Sequence, residues 1–394
     1  MKRWPTQPLG ELVLPTEQRD PRQNPTDEFS YVDIAGVDND AKAIVATKRI
    51  VGADAPSRAR KVICKGDVIV STVRPNLNAV ALVPATFDDQ ICSTGFSVLR
   101  PSQKVVSGYL FAFVRSAAFI DYLVGRTTGA NYPAVNDGEV KAVPMPVPPL
   151  AEQERVVKLL DEADELRKLR AQADRRTAAL IPALFHEMFG DPARNEKHWS
   201  VKSLPEVAFF QEGPGVRKWQ FRSTGIKLIN VGNIVDGQLD LSKTDRHLDK
   251  EEVEKTYSHF LLNAGDLVMA TSGVTWGKVA FIDTNHLPLC MNTSVVRFRP
   301  LESNACNPIF LRAFLETQAF RHQIEKLITG SAQPNFGPSH LKLIRLPFPP
   351  LLLQKEFAQR VTEIRGLEAA QAASRQRLEA LFQSMLHRAF NGEF

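Results

Sequence analysis

A chain of 394 residues, 43% hydrophobic and 24% charged, has room for two or three domains with buried cores and an ordinary globular composition. Its 49 basic against 44 acidic residues give a net charge of +5, split 26 against 25 in residues 1–197 and 23 against 19 in residues 198–394. So mild an excess permits nucleic-acid binding through local patches without demanding it, and no stretch approaches the ~18 apolar residues of a membrane span.

The N-terminal MKRWPTQPLG has no apolar run behind its charges, so no signal peptide is expected. Cys64, Cys92, Cys290 and Cys306 form no CxxC pair and have no histidine at ligand spacing. Free thiols in a reducing cytoplasm are the plain expectation, with no bound metal.

Residues 1–149 read as a mixed globule. Phe29–Val37 and Val62–Val73 are β-rich, with Lys65-Gly66-Asp67 as a turn before Val68–Val70. Ala79–Pro84 and Phe96–Leu99 continue the strands, and Gly108–Leu123 reads as a helix. A polar loop (Gly125–Asn136) and an extended, proline-punctuated stretch (Val140–Pro149) then lead to a long helix.

That helix, within residues 150–190, carries apolar or small residues at Val156, Leu159, Ala163, Leu166, Ala173, Leu180 and Leu184, mostly three and four apart. At ~1.5 Å per residue it would reach ~55 Å, and with one apolar stripe it needs a partner helix. Pro182 predicts a kink or break about two turns before the end. Gly190-Asp191-Pro192 is a stop signal.

Residues 191–348 repeat the plan, and 349–394 supply the partner helix. Strands are expected at Lys227–Ile234, Gly265–Thr271, Val279–Ile282 and Val295–Phe298, a helix at Ile309–Leu327, and a polar loop at Thr329–Phe336. The correspondences are specific. Pro148-Pro149-Leu150 with Gln153 matches Pro349-Pro350-Leu351 with Gln354, shifted by 201 residues; Gly66-Asp67 and Arg100-Pro101 match Gly265-Asp266 and Arg299-Pro300, shifted by 199. The chain is a tandem duplication of globule plus helix. The first helix leaves globule one and reaches globule two, and duplication carries the second back. The fold class expected is α+β: two mixed globules in tandem, separated by two long antiparallel helices with internal pseudo-twofold symmetry. Met1 and Phe394 are then expected near each other.

The sequence holds no GxxxxGK[ST], HExxH, GxSxG or GxGxxG, and neither Pro-Pro pair fits the adenine-methyltransferase signature. Asp67 and Asp266 read as turn residues, since no second carboxylate accompanies either. Binding chemistry is expected in loops. Gly215–Lys227 sets Arg217, Lys218 and Arg222 around Trp219, a pattern suited to phosphate contact with a base or sugar packed beside it. A solvated basic loop is the plainer alternative. Thr271–Lys278 offers Thr271, Ser272, Trp276 and Lys278, and its counterpart Thr72–Asn78 offers Arg74, Asn76 and Asn78. Arginine and asparagine are common bidentate readers of guanine and adenine, though a turn merely joining two strands is the bland reading. The polar loops add Asn131 and Tyr132 in one repeat, Gln333 and Asn335 in the other.

The helix starts PPLAEQERV and PPLLLQKEF, the loop TGSAQPNF and the terminal AFNGEF resemble the specificity subunits of type I restriction–modification systems. The resemblance covers essentially the whole chain. It implies two target-recognition domains (1–149 and 191–348), each reading one part of a split double-stranded DNA target and held apart by the long helices. It also implies two methyltransferase (modification) subunits as partners and restriction subunits in the full complex. S-adenosylmethionine and ATP would then belong to those partners, and this chain would need no cofactor. Two features depart from the pattern: Pro182 interrupts the first long helix, and GANYPAVN replaces the SAQPNF form of the second loop. A coiled-coil scaffold that binds proteins and no DNA is the rival, distinguished by salt-insensitive partner binding.

Overall fold

The recurring Gly-Asp segments are tight turns. Gly66 and Gly265 adopt φ of +88° and +86°, a left-handed conformation open to glycine. Asp67 and Asp266, each 1% exposed, accept the backbone N–H of Cys64 and Asn263 at 2.8 Å. Each aspartate also takes a forked pair of hydrogen bonds, from Arg100 at 2.9 and 2.9 Å and from Arg299 at 2.7 and 3.0 Å. The repeated Arg-Pro is therefore the far end of an ion pair whose carboxylate is buried and has both oxygens satisfied.

The computed structural model describes residues 4–129, 133–274, 276–302, 305–328 and 335–393. Two compact units result, Met1–Gln172 with Ala372–Phe394, and Ala173–Gln371. In the first, an antiparallel sheet runs in the order Val13–Leu14, Phe96–Pro101, Val68–Ser71, Val80–Leu82. A second sheet orders Lys48–Val51, Glu28–Val32, Gln90–Ser93 and Ala59–Ile63, its middle pair parallel. The other unit repeats this with Ala208–Glu212, Val295–Pro300, Leu267–Ala270 and Val279–Phe281. Its second sheet has three strands, His247–Leu248, Ile226–Ile229 and Leu289–Met291, again with one parallel pair.

The single helices expected at Gly108–Leu123 and Ile309–Leu327 are each two. They run Ser107–Val114 then Ala117–Val124, and Pro308–Leu315 then Gln318–Leu327. Ser116 and Thr317 cause the breaks, because their hydroxyls accept the N–H groups of Phe119 and Phe320 as N-caps. Val140–Pro149 is not extended throughout. Asp137–Lys141 is a short helix closed by reciprocal Asn136 and Glu139 hydrogen bonds, and Pro144–Pro146 is a strand paired with Thr6–Pro8.

The first long helix spans Leu150–Ala178 and resumes as Leu180–Phe189. The break falls at Ala179, in the turn before Pro182, where a proline ring would clash with a continuing helix. The second, Leu351–Phe390, is unbroken. Gln153 and Gln354 explain the repeated helix start. Both are fully buried. Gln153 accepts the N–H of Val106 at 2.9 Å and donates to the carbonyls of Lys104 and Pro148 at 3.0 and 2.9 Å. Gln354 likewise accepts from Asn307 at 2.9 Å and donates to Pro349 at 2.8 Å.

The helices run antiparallel, as each unit shows by itself. In the first, Arg167 pairs with Glu379 at 2.6 Å, while Val156 and Leu160 share a core with Leu386 and Phe390. Phe390 packs its ring 5.2 Å from both Tyr109 and Phe113. In the second, Gln371 donates to Thr177 at 2.9 Å, while Phe185 and Phe189 pack against Phe357 at 5.8 and 5.1 Å. Each buried aromatic ring contributes roughly 1.5–3 kcal/mol. Met1 and Phe394 lie outside the described residues, but Thr6–Pro8 pairs with Pro144–Pro146 and Tyr109, on which Phe390 packs, donates to the Pro146 carbonyl. Thr6–Pro8 and Phe390 thus converge on one part of the first unit. No single described helix is long and apolar enough to cross a membrane.

Replacing Gln354 with leucine strands the Asn307 N–H and the Pro349 carbonyl in the core. The expected loss is about 2–4 kcal/mol, read as a lower urea midpoint with unchanged slope.

Candidate nucleic-acid interface

Loops separated in sequence meet in each unit. In the first, Val73 bridges to Ala134, Arg74 donates its N–H to the Pro133 carbonyl at 2.7 Å, and Val135 donates to Thr72 at 2.9 Å. The turn Thr72–Asn78 is thereby stitched to the polar loop beyond Thr128. In the second, Ser272 bridges to Asn335 and Phe336 donates to the Thr271 carbonyl at 3.2 Å. Each unit therefore presents one composite surface at the end of its antiparallel sheet, formed by the turn Thr72–Asn78 with residues 133–135 in the first and by the turn after Ala270 with Asn335 and Phe336 in the second. Arg74, Asn76, Lys278 and Asn335 are exposed and Ser272 is half-buried. Asn131, Tyr132 and Gln333 lie outside the described residues.

Three residues expected to contact a ligand are withdrawn by their burial. Asn78 is 7% exposed and uses its amide to donate to the Val114 carbonyl at 2.8 Å, tying the turn to helix Ser107–Val114. Thr271 is fully buried at a strand end. Trp276 is 6% exposed, packs edge-on against Phe336 at 5.6 Å, and lies beneath the guanidinium of Arg321 at 4.2 Å. These three hold the loops; they do not reach out from them. Arg321 escaped the sequence reading, and nothing in the spacing of a helix residue 45 positions away marks it.

Lys42 supports the first surface from below, donating its ammonium to the Asn78 carbonyl at 2.6 Å. Burial, helped by the nearby charge of Arg115, pushes that amine down to about 8. Arg115 is itself engaged with Asp164 at 3.0 Å. Burial tends to raise Asp164, yet hydrogen bonding to Arg115 and the charges of Arg115 and Arg167 hold it below the usual carboxylate range.

The basic loop stands elsewhere, beside the second sheet of its unit. Lys218–Gln220 is a single helical turn closed by Arg217, whose N–H donates to the Gln220 side chain at 2.8 Å. Gln220 is 4% exposed and donates onward to Glu252 and to the Tyr257 hydroxyl. With Gln220 anchored, Arg217, Lys218, Trp219 and Arg222 all face solvent, Trp219 at 75% exposure. Gln220 was legible in principle, since a glutamine three residues after a turn's first position is a capping signal. Among the described residues, no group of three or more His, Cys, Asp or Glu side chains is placed to hold a metal ion.

Residues 2–174 and 196–379 each match the family model described as the type I restriction modification DNA specificity domain. The chain belongs to this family. It is similar to the type I restriction enzyme MjaVIII specificity subunit of Methanocaldococcus jannaschii, 24% identical over 318 residues, which cover 77% of this chain and 74% of that one. The EcoKI specificity subunit of Escherichia coli is 24% identical over 334 residues, 77% of this chain and 69% of that one. A solved chain from a study of complex assembly and conformational transition in the type I R-M system aligns over 100% of this chain and 99% of its own, at 29% identity and a TM-score of 0.69. As a member of this family the chain recognises DNA by sequence, with other subunits of a restriction–modification complex as its partners. No match favours the protein-only scaffold.

Trp276→Ala should destabilise the second unit by ~3–5 kcal/mol in urea unfolding. Lys278→Ala should leave stability within ~0.5 kcal/mol while weakening DNA binding and relaxing base preference at one position by about 1–3 kcal/mol.

Proposed function

We propose that the chain reads a bipartite DNA target, with residues 1–149 and 191–348 as two target-recognition domains and residues 150–190 and 349–394 as the long helices that space them. The observation that carries this reading is the recurrence of one composite loop surface at equivalent places, at Val73 with Ala134 and at Ser272 with Asn335. Arg74 and Asn76 are the base-contact residues of one surface; Ser272, Lys278 and Asn335 are those of the other. Arg217, Lys218, Trp219 and Arg222 make the backbone contacts, because an exposed ring among cations suits a sugar beside a phosphate.

The same reading makes the chain a non-catalytic subunit in the cytoplasm. It carries two methyltransferase subunits to the target, with restriction subunits added in the full complex. The names of the two relatives above, both specificity subunits, support leaving chemistry to the partners. S-adenosylmethionine and ATP are then the partners' ligands.

The test is to co-express the chain with its methyltransferase subunit and map methylated adenines across the genome. The expected motif has two specified blocks around an unspecified gap, and Lys278→Ala should alter methylation through one block only. A continuous motif, or equal change in both blocks, would sink the reading. Inserting four residues after both Ala171 and Ala372 adds ~6 Å of helix, against ~3.4 Å of rise per base pair. The gap should grow by one or two pairs with both blocks unchanged.

A further inference from the structure

The turn between Leu267–Ala270 and Val279–Phe281 carries an apolar side chain in full solvent. Its ends are fixed by backbone hydrogen bonds, Gly277 N–H to Ala270 at 2.8 Å, Ala270 N–H to Lys278 at 3.0 Å, and Thr271 N–H to Ser294 at 2.9 Å. Trp276 anchors the descending limb in the core. Gly273 and Gly277 take φ of +76° and +85°, and the Trp276 N–H closes a tight turn onto the Gly273 carbonyl at 3.3 Å. The residue pushed outward by that turn is Val274, at 102% relative exposure.

Turn tips ordinarily carry Gly, Asn, Asp or Ser, because those side chains are hydrated or tolerate the backbone. Single exposed apolar residues are common and need no account by themselves. Here the neighbours supply one. Val274 shares its turn with Ser272, which bridges to Asn335, and with Lys278, the polar residues assigned above to base contact. In the equivalent turn of the first unit the position of Val274 is held by Pro75, which is buried, so the exposed apolar tip belongs to the second unit. The second surface thus combines polar and cationic groups with one apolar tip.

In the major groove, one base edge alone is apolar, the 5-methyl group of thymine. A wedge that unstacks bases uses longer side chains such as Phe, Leu, Ile or Met. Valine is short, and its β-branch leaves little rotamer freedom to lose on contact. We propose that Val274 is a specificity-determining residue that packs against a thymine methyl in the block read by residues 191–348. This rests on the reading that the Ser272–Lys278 surface faces DNA.

The experiment uses the chain co-purified with its methyltransferase subunit, and duplexes carrying the mapped target with single deoxythymidine-to-deoxyuridine replacements on either strand. Each replacement deletes one 5-methyl group. Wild-type affinity should fall about fourfold at one thymine of the second block, the value of one buried methyl-sized group. Val274→Ser should weaken binding to the parent duplex about as much and be indifferent to that replacement. Lys278→Ala should weaken every duplex alike and keep the discrimination. If Lys278→Ala weakens binding while no replacement changes wild-type affinity, or if Val274→Ser still discriminates, the thymine contact is wrong and the loop surface stands. A second block without thymine overturns it equally. If neither variant alters affinity, the loop surface itself is wrong and takes the proposal with it.

Discussion

Two buried glutamines, Gln153 and Gln354, fix where each long helix leaves its globule. Each ties the first turn of a helix to the segment just ahead of a core helix, at Lys104–Val106 in one repeat and at Asn307 in the other. A glutamine with both amide ends satisfied in a dry site has essentially one orientation, because turning it would leave donors and acceptors unpaired. Everything that depends on helix direction follows from that. The proline pair sets the extended approach, the leucine enters the helix, and the glutamine locks the angle.

The Asp–Arg forks, each closed on a buried carboxylate, perform a related task inside the globules. Asp67 with Arg100 and Asp266 with Arg299 clamp the turn that starts one central strand to the end of its neighbour. Hydrogen bonding to the carboxylates raises both arginines above their ordinary value. The repeats diverge at the helical corner. Arg115 reaches across to Asp164 on the long helix, whereas the corresponding Glu316 pairs with Arg312 of its own corner at 3.1 Å. One plan is thus closed by two different sets of charges.

Much of this was legible in the sequence, and the reasons are local. The duplication showed because turns, caps and the glutamine lock need particular residue types at fixed offsets. The helix break near Pro182 followed from the missing N–H. The split of Gly108–Leu123 was hidden by its unbroken apolar character, although Ser116 and Thr317, each three residues before a phenylalanine, were the available cue. Burial in the loops was harder. A tryptophan between a threonine and a glycine looks the same whether its ring faces water or core, and Phe336 and Arg321 decide the matter for Trp276. Asn78 gave the same false signal, since an amide that could read a base instead ties down the carbonyl of Val114. That the turns and the polar loops would join was not visible at all, because strand-like bridges across some 60 residues leave no local mark.

The composition of the first unit from residues 1–172 and 372–394 bears on how the protein is made. Chains emerge from the ribosome from their N-terminus at ~5–20 residues per second. The second unit is continuous and has all its parts once residue 371 is out. The first must wait roughly ten to forty seconds after its own globule has emerged for Phe382, Leu386 and Phe390 to arrive and cover Tyr109 and Phe113. During that interval an aromatic face is open to chaperones and to other nascent chains. The first globule to be synthesised is the last to be finished, and a message truncated near its 3′ end would spoil the N-terminal unit while leaving the C-terminal one intact.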